Sequence, residues 1–210
     1  MIDIISDEAF ERIKLILHGV PGGAEKALYG VISRATSTIR TVSLDGITSV
    51  YDISKKGVRD RKNTTINLRT SKVEGGVVGK IVYSGHKIPL IRFGVTPEKS
   101  TPRSYGVPVN IGGNWVMARP GVQVAARKRR DSPMKKSETA FIATMGSGHT
   151  GIFERRNKGS SKITERMGLS TAQMAANSDV LEKAEAAAQE TIAKRTEHEI
   201  TRILQGYGGR

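Results

Sequence analysis

Two stretches of the chain repeat apolar residues every three or four positions, the spacing of a helix that buries one face. This spacing predicts a long helix over 24–45, preceded by a shorter amphipathic helix over 6–18. A further apolar stripe predicts a helix over 178–206, and Asp179 with Glu182 fits a capping box at its start. The pattern therefore predicts long helices near both ends of the sequence.

Between residues 64 and 156 the pattern changes to short runs of alternating apolar and polar residues, which is typical of strands. Glycine turns separate these runs, and such turns join neighbouring strands into antiparallel hairpins. Residues 157–177 are rich in Gly, Ser and Thr and show neither the helical nor the strand periodicity. This composition predicts an arm or linker. The predicted fold class is α/β in the α+β sense, with a mainly antiparallel β-sheet body, a long N-terminal helix and a long C-terminal helix. The predicted domains are a body over 1–156, the arm, and the C-terminal helix over 178–206.

Composition excludes several classes of protein. The sequence contains no cysteine, which excludes disulfide frameworks, thiolate metal sites and cysteine nucleophiles. The first residues are acidic, unlike the basic start of a secretion signal, and no apolar run reaches the roughly 18 residues of a membrane span. We therefore expect a protein kept in a reducing cytoplasm, with no membrane partner.

The formal net charge is +14 at pH 7, and it is spread unevenly. The predicted C-terminal helix is net acidic, whereas residues 54–72 and 119–136 concentrate lysine and arginine. Basic patches of this kind attract nucleic acid or acidic protein surfaces. The alternative is that they are only a solvated surface. The densest run comprises Arg127, Lys128, Arg129 and Arg130. No aromatic residue lies within 119–136, so these four are candidate contacts to a DNA phosphate backbone or to an acidic partner rather than to stacked bases.

Motifs for catalysis or cofactor binding are weak. Residues 146–151 match the dinucleotide pattern G-x-G-x-x-G, but that pattern needs a following helix to hold the pyrophosphate. The residues that follow have the pattern of a strand, so a glycine-rich turn between two strands explains the match better. The histidines are far apart and lack metal-ligand spacing, and a hydrolase would need a triad assembled from distant residues that no pattern indicates. We predict no cofactor, no metal and no enzymatic activity.

Residues 140–155 resemble the phage and prophage minor tail protein Z family, also called the tail completion protein family. In that family a strand of the type AFIATM turns through a GHxG corner into a strand of the type GIF-R. The matching residues are Phe141, Gly148, His149, Gly151, Phe153 and Arg155. Further similarities follow in the family's order at 51–53, 88–97 and 195–204. One segment departs from the family, because residues 168–174 lack the two prolines usual there.

The resemblance implies a structural virion protein at the tail end or neck of a tailed bacteriophage, made in the host cytoplasm. It would complete the tail tube and support head–tail joining, beside the tail tube, tail terminator and neck or head-completion proteins. The resemblance also implies a homo-oligomeric ring, six copies favoured, in which residues 94–106 or 157–177 reach a neighbour and a basic surface contacts packaged DNA non-specifically. Two alternatives remain open: a tail terminator that caps the tube, and a cytoplasmic basic nucleic-acid-binding protein whose affinity would fall steeply with salt.

Overall fold

The computed structural model describes residues 7–60, 64–73, 76–97, 107–111, 113–118, 124–137, 139–155 and 162–206. Its helices are α1 (Asp7–Ile16), α2 (Gly23–Val50), α3 (Lys55–Val58), α4 (Thr171–Ala175) and α5 (Ser178–Leu204). Its strands are β1 (Thr64–Val73), β2 (Gly76–Gly85), β3 (Lys87–Pro89), β4 (Gly94–Thr96), β5 (Val107–Ile111), β6 (Asn114–Ala118), β7 (Val124–Arg127), β8 (Lys135–Ser137), β9 (Ala140–Thr144), β10 (Thr150–Arg155), β11 (Ile163–Glu165) and β12 (Met167–Ser170). The predicted α+β class, with antiparallel strands and long helices towards both ends of the chain, is confirmed.

The chain folds into two compact units, and the segments of one unit alternate with those of the other along the sequence. The helical unit comprises residues 1–49, 59–86 and 170–210, and the strand unit comprises residues 50–58 and 87–169. The predicted single body over 1–156 is therefore wrong. Hydrophobic periodicity shows which face of an element is buried, but it does not show which distant segment covers that face.

Helices α2 and α5 pack against each other in opposite directions and supply much of the core of the helical unit. Gly46 of α2 lies against Val180 at the start of α5, and Gly23 at the start of α2 lies against Ile203 at the end of α5. The core contains Ile13, Leu17, Ala27, Leu28, Val31, Ile32, Ala35, Val77, Ile192, Ile200 and Ile203. This packing outweighs the low helix propensity of Gly46, so α2 continues past its predicted end to Val50.

An ion pair within α5, with its carboxylate buried, lies against α2. Glu199 of α5 is only 7% exposed, and its Oε2 accepts hydrogen bonds from Arg202 Nε at 2.8 Å and from Nη2 at 2.6 Å. A buried carboxylate is tolerated when it is paired in this way. The carboxylate faces Gly30 of α2, where a Cβ atom would lie 2.9 Å from Glu199 Cδ. The glycine therefore provides the space that the ion pair occupies.

The β1–β2 hairpin covers α2 within the helical unit. Its strands pair antiparallel along their full length, from Thr64 opposite Gly85 to Val73 opposite Gly76. The buried hydroxyl groups of Thr64 and Thr171 are 2.7 Å apart, and this hydrogen bond joins the start of β1 to the start of α4.

The strand unit consists of several short sheets rather than one continuous sheet. In hydrogen-bonding order these are β4-β7-β8, β11-β10-β9, β5-β6 and β12-β3. The central hairpin pairs β9 with β10, from Thr144 opposite Thr150 to Ala140 opposite Glu154. Residues 140–155 therefore form the strand–turn–strand unit that their sequence predicts.

The predicted arm is wrong for the part of it that the structure describes, residues 162–177. These residues form β11, which pairs with β10, then β12, which pairs with β3, and finally α4. Met174 of α4 is fully buried. In β12 the ring of Phe93 lies so close to Gly168 that a Cβ atom there would collide with it. Strands of three or four residues are too short to show the alternation of apolar and polar residues, so the sequence pattern does not predict them.

The helix caps also differ from prediction. Asn177 caps α5, because its side-chain oxygen accepts a hydrogen bond from Asp179 N at 3.0 Å. The capping box lies one helix earlier, at α4, where Gln173 N donates to Ser170 Oγ at 3.3 Å and Ser170 N donates to Gln173 Oε1 at 3.0 Å. Asn, Ser and Asp are all good caps and stand close together here, so composition alone did not select between them.

Replacing Gly30 by alanine tests whether the glycine makes room for Glu199. Helix propensity alone would raise the free energy of unfolding by up to about 1 kcal/mol. We expect it to fall instead, by on the order of 1 kcal/mol, because the methyl group displaces a buried, hydrogen-bonded carboxylate. Urea denaturation monitored by circular dichroism measures the change.

Two further variants make this test specific. In a Glu199→Ala background the obstacle is gone, so Gly30→Ala should become stabilising, and the double-mutant cycle gives the coupling. Ser37→Ala, at an exposed position of α2, reports helix propensity together with the loss of one exposed hydrogen bond, from Ser37 Oγ to Ser33 O. Stabilisation by Gly30→Ala in the otherwise unchanged chain would contradict the assignment.

Candidate functional site

The basic run 127–130 lies beside residues 50–53 in the strand unit. The two segments run antiparallel: Asp52 N donates to Lys128 O at 2.9 Å, and Arg130 N donates to Val50 O at 3.0 Å. Ile53, one residue further on, forms an isolated antiparallel bridge with Phe93. These backbone contacts hold the basic run beside Asp52.

Asp52 is the acidic centre of this arrangement. Its side chain is 17% exposed, and Oδ2 accepts a hydrogen bond from Arg127 Nε at 2.5 Å. Its second oxygen, Oδ1, lies 3.6 Å from Arg130 Nη1. Any side chain at position 94 would collide with Oδ2, so Gly94 leaves the space that the carboxylate fills. One half-buried acid thus holds two of the four candidate residues.

Arg129 is held by a second acid and an aromatic ring. Its guanidinium donates from Nε to Asp131 Oδ1 and from Nη2 to Asp131 Oδ2, both at 3.0 Å. The hydrogen bond from Arg129 lowers the pKa of Asp131 below its usual value, which keeps this carboxylate ionised. The guanidinium also lies over the ring of Tyr51, 5.9 Å from its centroid.

The four candidate residues are therefore not one solvated patch. Arg127, Arg129 and Arg130 engage acids of their own unit, whereas Lys128 is exposed. The sequence did not reveal this division, because Asp52 lies 75 positions before Arg127.

A cleft of about 700 Å³ opens beside the basic run, inside the strand unit. Its floor is apolar and includes Leu90, Val124 and Ile152, all of which are buried. Its rim carries the cationic residues Arg127, Lys128, Arg129, Lys135, Lys136 and Arg166. Sequence analysis missed Arg166, which lies 36 to 39 positions beyond the basic run in the printed sequence.

The residues that carry the family resemblance come together on the β9–β10 hairpin. The rings of Phe141 and Phe153 have centroids 6.3 Å apart, and His149 meets Phe153 edge-on at the same distance. The guanidinium of Arg155 lies 5.6 Å from the centroid of the Phe141 ring. The motif thus encodes a cluster of aromatic and cationic side chains on one hairpin.

Two glycines of the motif have separate physical roles. Gly148 has a φ of +79°, which favours glycine, and its N–H donates to Met145 O at 2.8 Å to close the turn. At Gly151 a Cβ atom would lie 2.5 Å from Glu165 Oε1, so a side chain there would push Glu165 out of place. Glu165 in turn lies 2.8 Å from His149 Nε2.

The contact between His149 and Glu165 is the nearest approach to a catalytic unit at this site. A histidine–carboxylate pair becomes catalytic when a nucleophile or metal completes it. Among the described residues no hydroxyl group contacts His149, and no group of three His, Asp or Glu side chains could hold a metal ion. The pair instead joins β11 to the hairpin turn. No helix in the described ranges has both the length and the apolar character needed to cross a membrane.

Comparison of the chain with protein-family models, curated proteins and solved structures finds no match. The case for a function therefore rests on the chain's own residues.

Replacing Asp52 by asparagine should destabilise the protein although it removes no volume. The free energy of unfolding should fall by about 2 kcal/mol, because a half-buried arginine loses its charged acceptor. Denaturation in urea measures this change in the free energy of unfolding.

Asp131→Asn is the matched control, since it removes the same charge from an exposed pair beside the same segment. Exposed pairs contribute little, so its effect should be clearly smaller. Equal effects of the two substitutions would show that Asp52 does not organise the segment.

Proposed function

We propose that this chain is a structural protein of a tailed-bacteriophage virion, a tail-completion or neck component that finishes the end of the tail tube and supports head–tail joining. The observation that carries the proposal is the cluster on the β9–β10 hairpin. Its members Phe141, His149, Gly151, Phe153 and Arg155 are the residues that resemble the tail completion family. Residues of a motif that encodes a local structure are expected to contact one another, and these do.

The way the site's charges are used favours a structural role over a catalytic one. Asp52 is engaged by Arg127, and Asp131 is engaged by Arg129. Glu154 likewise lies 3.1 Å from Arg166 Nε. Acids that are held in this way by guanidinium groups of their own unit fix the positions of the segments they join. Their oxygens are already occupied by these partners, so they are poorly placed to act on a substrate.

The proposal includes a closed ring built from many copies of the chain. Heterologous contacts close into a ring when each copy presents two complementary surfaces. The chain carries charges of both signs that suit such contacts, because α5 is net acidic while the rest of the sequence is strongly basic. Residues 98–106 and 157–161, parts of the segments expected to reach a neighbour, lie outside the described residues.

The ring predicts a defined stoichiometry. Native mass spectrometry of the purified protein, or of tails that contain it, should give a single closed species, with six copies favoured. Raising the salt concentration should dissociate the ring if opposite charges join the copies, because salt screens them. A chain that is monomeric within assembled virions would contradict the ring.

The virion role predicts a specific assembly defect. A nonsense codon in this gene, in the phage or prophage that encodes it, should leave filled heads and tails of normal length that fail to join. Electron micrographs of one lysate allow filled heads, tails and complete particles to be counted separately. Purified protein added to that lysate should restore infectivity, and labelled protein should appear at the tail end.

Other outcomes of that experiment identify the alternatives. A terminator stops tube growth, so its loss would give tails of abnormal length. A cytoplasmic nucleic-acid-binding protein would leave normal virions, and it would bind duplex DNA with an affinity that falls steeply as salt rises. Normal numbers of complete, infectious particles without this protein would overturn the proposal.

A further inference from the structure

The cleft of the strand unit combines two kinds of lining that suit different parts of one ligand. Its floor is hydrocarbon, from residues such as Leu90, Val124 and Ile152, and Met167 at its side is 40% exposed. Its rim is cationic, and no Asp or Glu lines the cleft among the described residues. A ligand that fills it therefore needs an apolar group flanked by negative charge.

The cations of the rim divide by residue type. The three arginines are balanced by acids of their own unit: Arg127 by Asp52 at 2.5 Å, Arg129 by Asp131 at 3.0 Å and Arg166 by Glu154 at 3.1 Å. The three lysines, Lys128, Lys135 and Lys136, are exposed, and no ion pair engages them within the described residues. The positive charge left for a ligand therefore comes from the lysines.

These features favour a peptide over a nucleic acid. Single-stranded nucleic acid needs open aromatic faces, but Tyr51, the aromatic residue among the described lining of the cleft, is 5% exposed and lies under Arg129. A nucleic-acid backbone offers nothing to cover an apolar floor, whereas a peptide carries apolar and acidic side chains side by side.

We propose that this cleft binds an acidic peptide segment of a partner protein, with an apolar side chain on the floor and carboxylates at Lys128, Lys135 and Lys136. The volume of about 700 Å³ suits a few side chains rather than a folded surface. The proposal does not depend on the virion role, since it follows from the lining alone. A failure of the head–tail experiment would leave it standing, and its own failure would leave the virion role untouched.

Fluorescence anisotropy with the full chain and four labelled probes tests the ligand chemistry. The probes are a seven-residue peptide that alternates Asp or Glu with Leu, the same peptide with Ser for Leu, a version with Lys for the acids, and a 20-base-pair DNA duplex. We expect the acidic Leu peptide to bind about tenfold more tightly than the Ser peptide, because each buried leucine removes apolar surface from water. The Lys peptide should not bind.

Charge reversal at the three lysines tests whether the peptide binds in the cleft. The triple variant Lys128→Glu, Lys135→Glu, Lys136→Glu should bind the acidic Leu peptide at least about tenfold more weakly, because attraction becomes repulsion. The matched control reverses three exposed lysines that do not line the cleft, Lys80, Lys87 and Lys162, and has the same net charge. The control variant should lose less than about twofold in affinity for the acidic Leu peptide, because it changes only the net charge.

Crosslinking locates the peptide without any change to the cleft. A photoreactive group on the Leu peptide should crosslink to the lining of the cleft in the unaltered chain, within 124–137 or 166–169 or at Leu90 or Ile152. This measurement keeps the proposal testable if the triple variant folds poorly.

Three results would each overturn the proposal. Equal affinity for the Ser and Leu peptides would show that the apolar floor is not used. Tight binding of the duplex, lost in the cleft variant, would identify the surface as one for nucleic acid. Equal weakening by the cleft and control variants, or crosslinks elsewhere, would place the peptide outside the cleft.

Discussion

The carboxylate of Asp52 is the interaction on which the strand unit depends most. It sits just past the end of α2, where it accepts a hydrogen bond from Arg127 and lies close to Arg130. Its neighbours Tyr51 and Ile53 bridge two other segments of the same unit. A charge this far from water needs a partner, so the basic run must lie against it. The rim of the cleft follows from that requirement, since the same residues form one side of it.

Local patterns in the sequence predict much of this fold, and the parts they miss depend on distant contacts. The long helices and the β9–β10 hairpin follow from spacing and glycine turns, and both are confirmed. Contacts such as Asp52 with Arg127, or His149 with Glu165, join residues that no spacing rule connects. The same limit explains the error at 162–177, whose strands exist because of the partners they pair with. For the candidate site, sequence analysis located the basic run but not its division into paired and unpaired cations.

Arginine and lysine have different roles around the cleft of the strand unit. The guanidinium group is planar and forms two directed hydrogen bonds, so it suits a fixed place between an acid and a ring. Arg129 has such a place between Asp131 and Tyr51. The lysine ammonium group is compact and well hydrated, so it stays in water until a partner arrives. The count of 34 lysine and arginine residues therefore overstates the number of cations that a partner meets, because several of them are engaged by acids within the strand unit.

The alternation of the two units along the chain sets an order for their folding during synthesis. The strand unit takes all but residues 50–58 from one continuous stretch, 87–169, and can close as soon as that stretch has left the ribosome. The helical unit takes residues 170–210 as well, and until α5 is made the part of the apolar face of α2 that packs against α5 has no cover. Exposed apolar surface of this kind draws chains into aggregates or towards chaperones. The nascent chain is therefore most vulnerable to aggregation after its strands have formed and before α5 has been made.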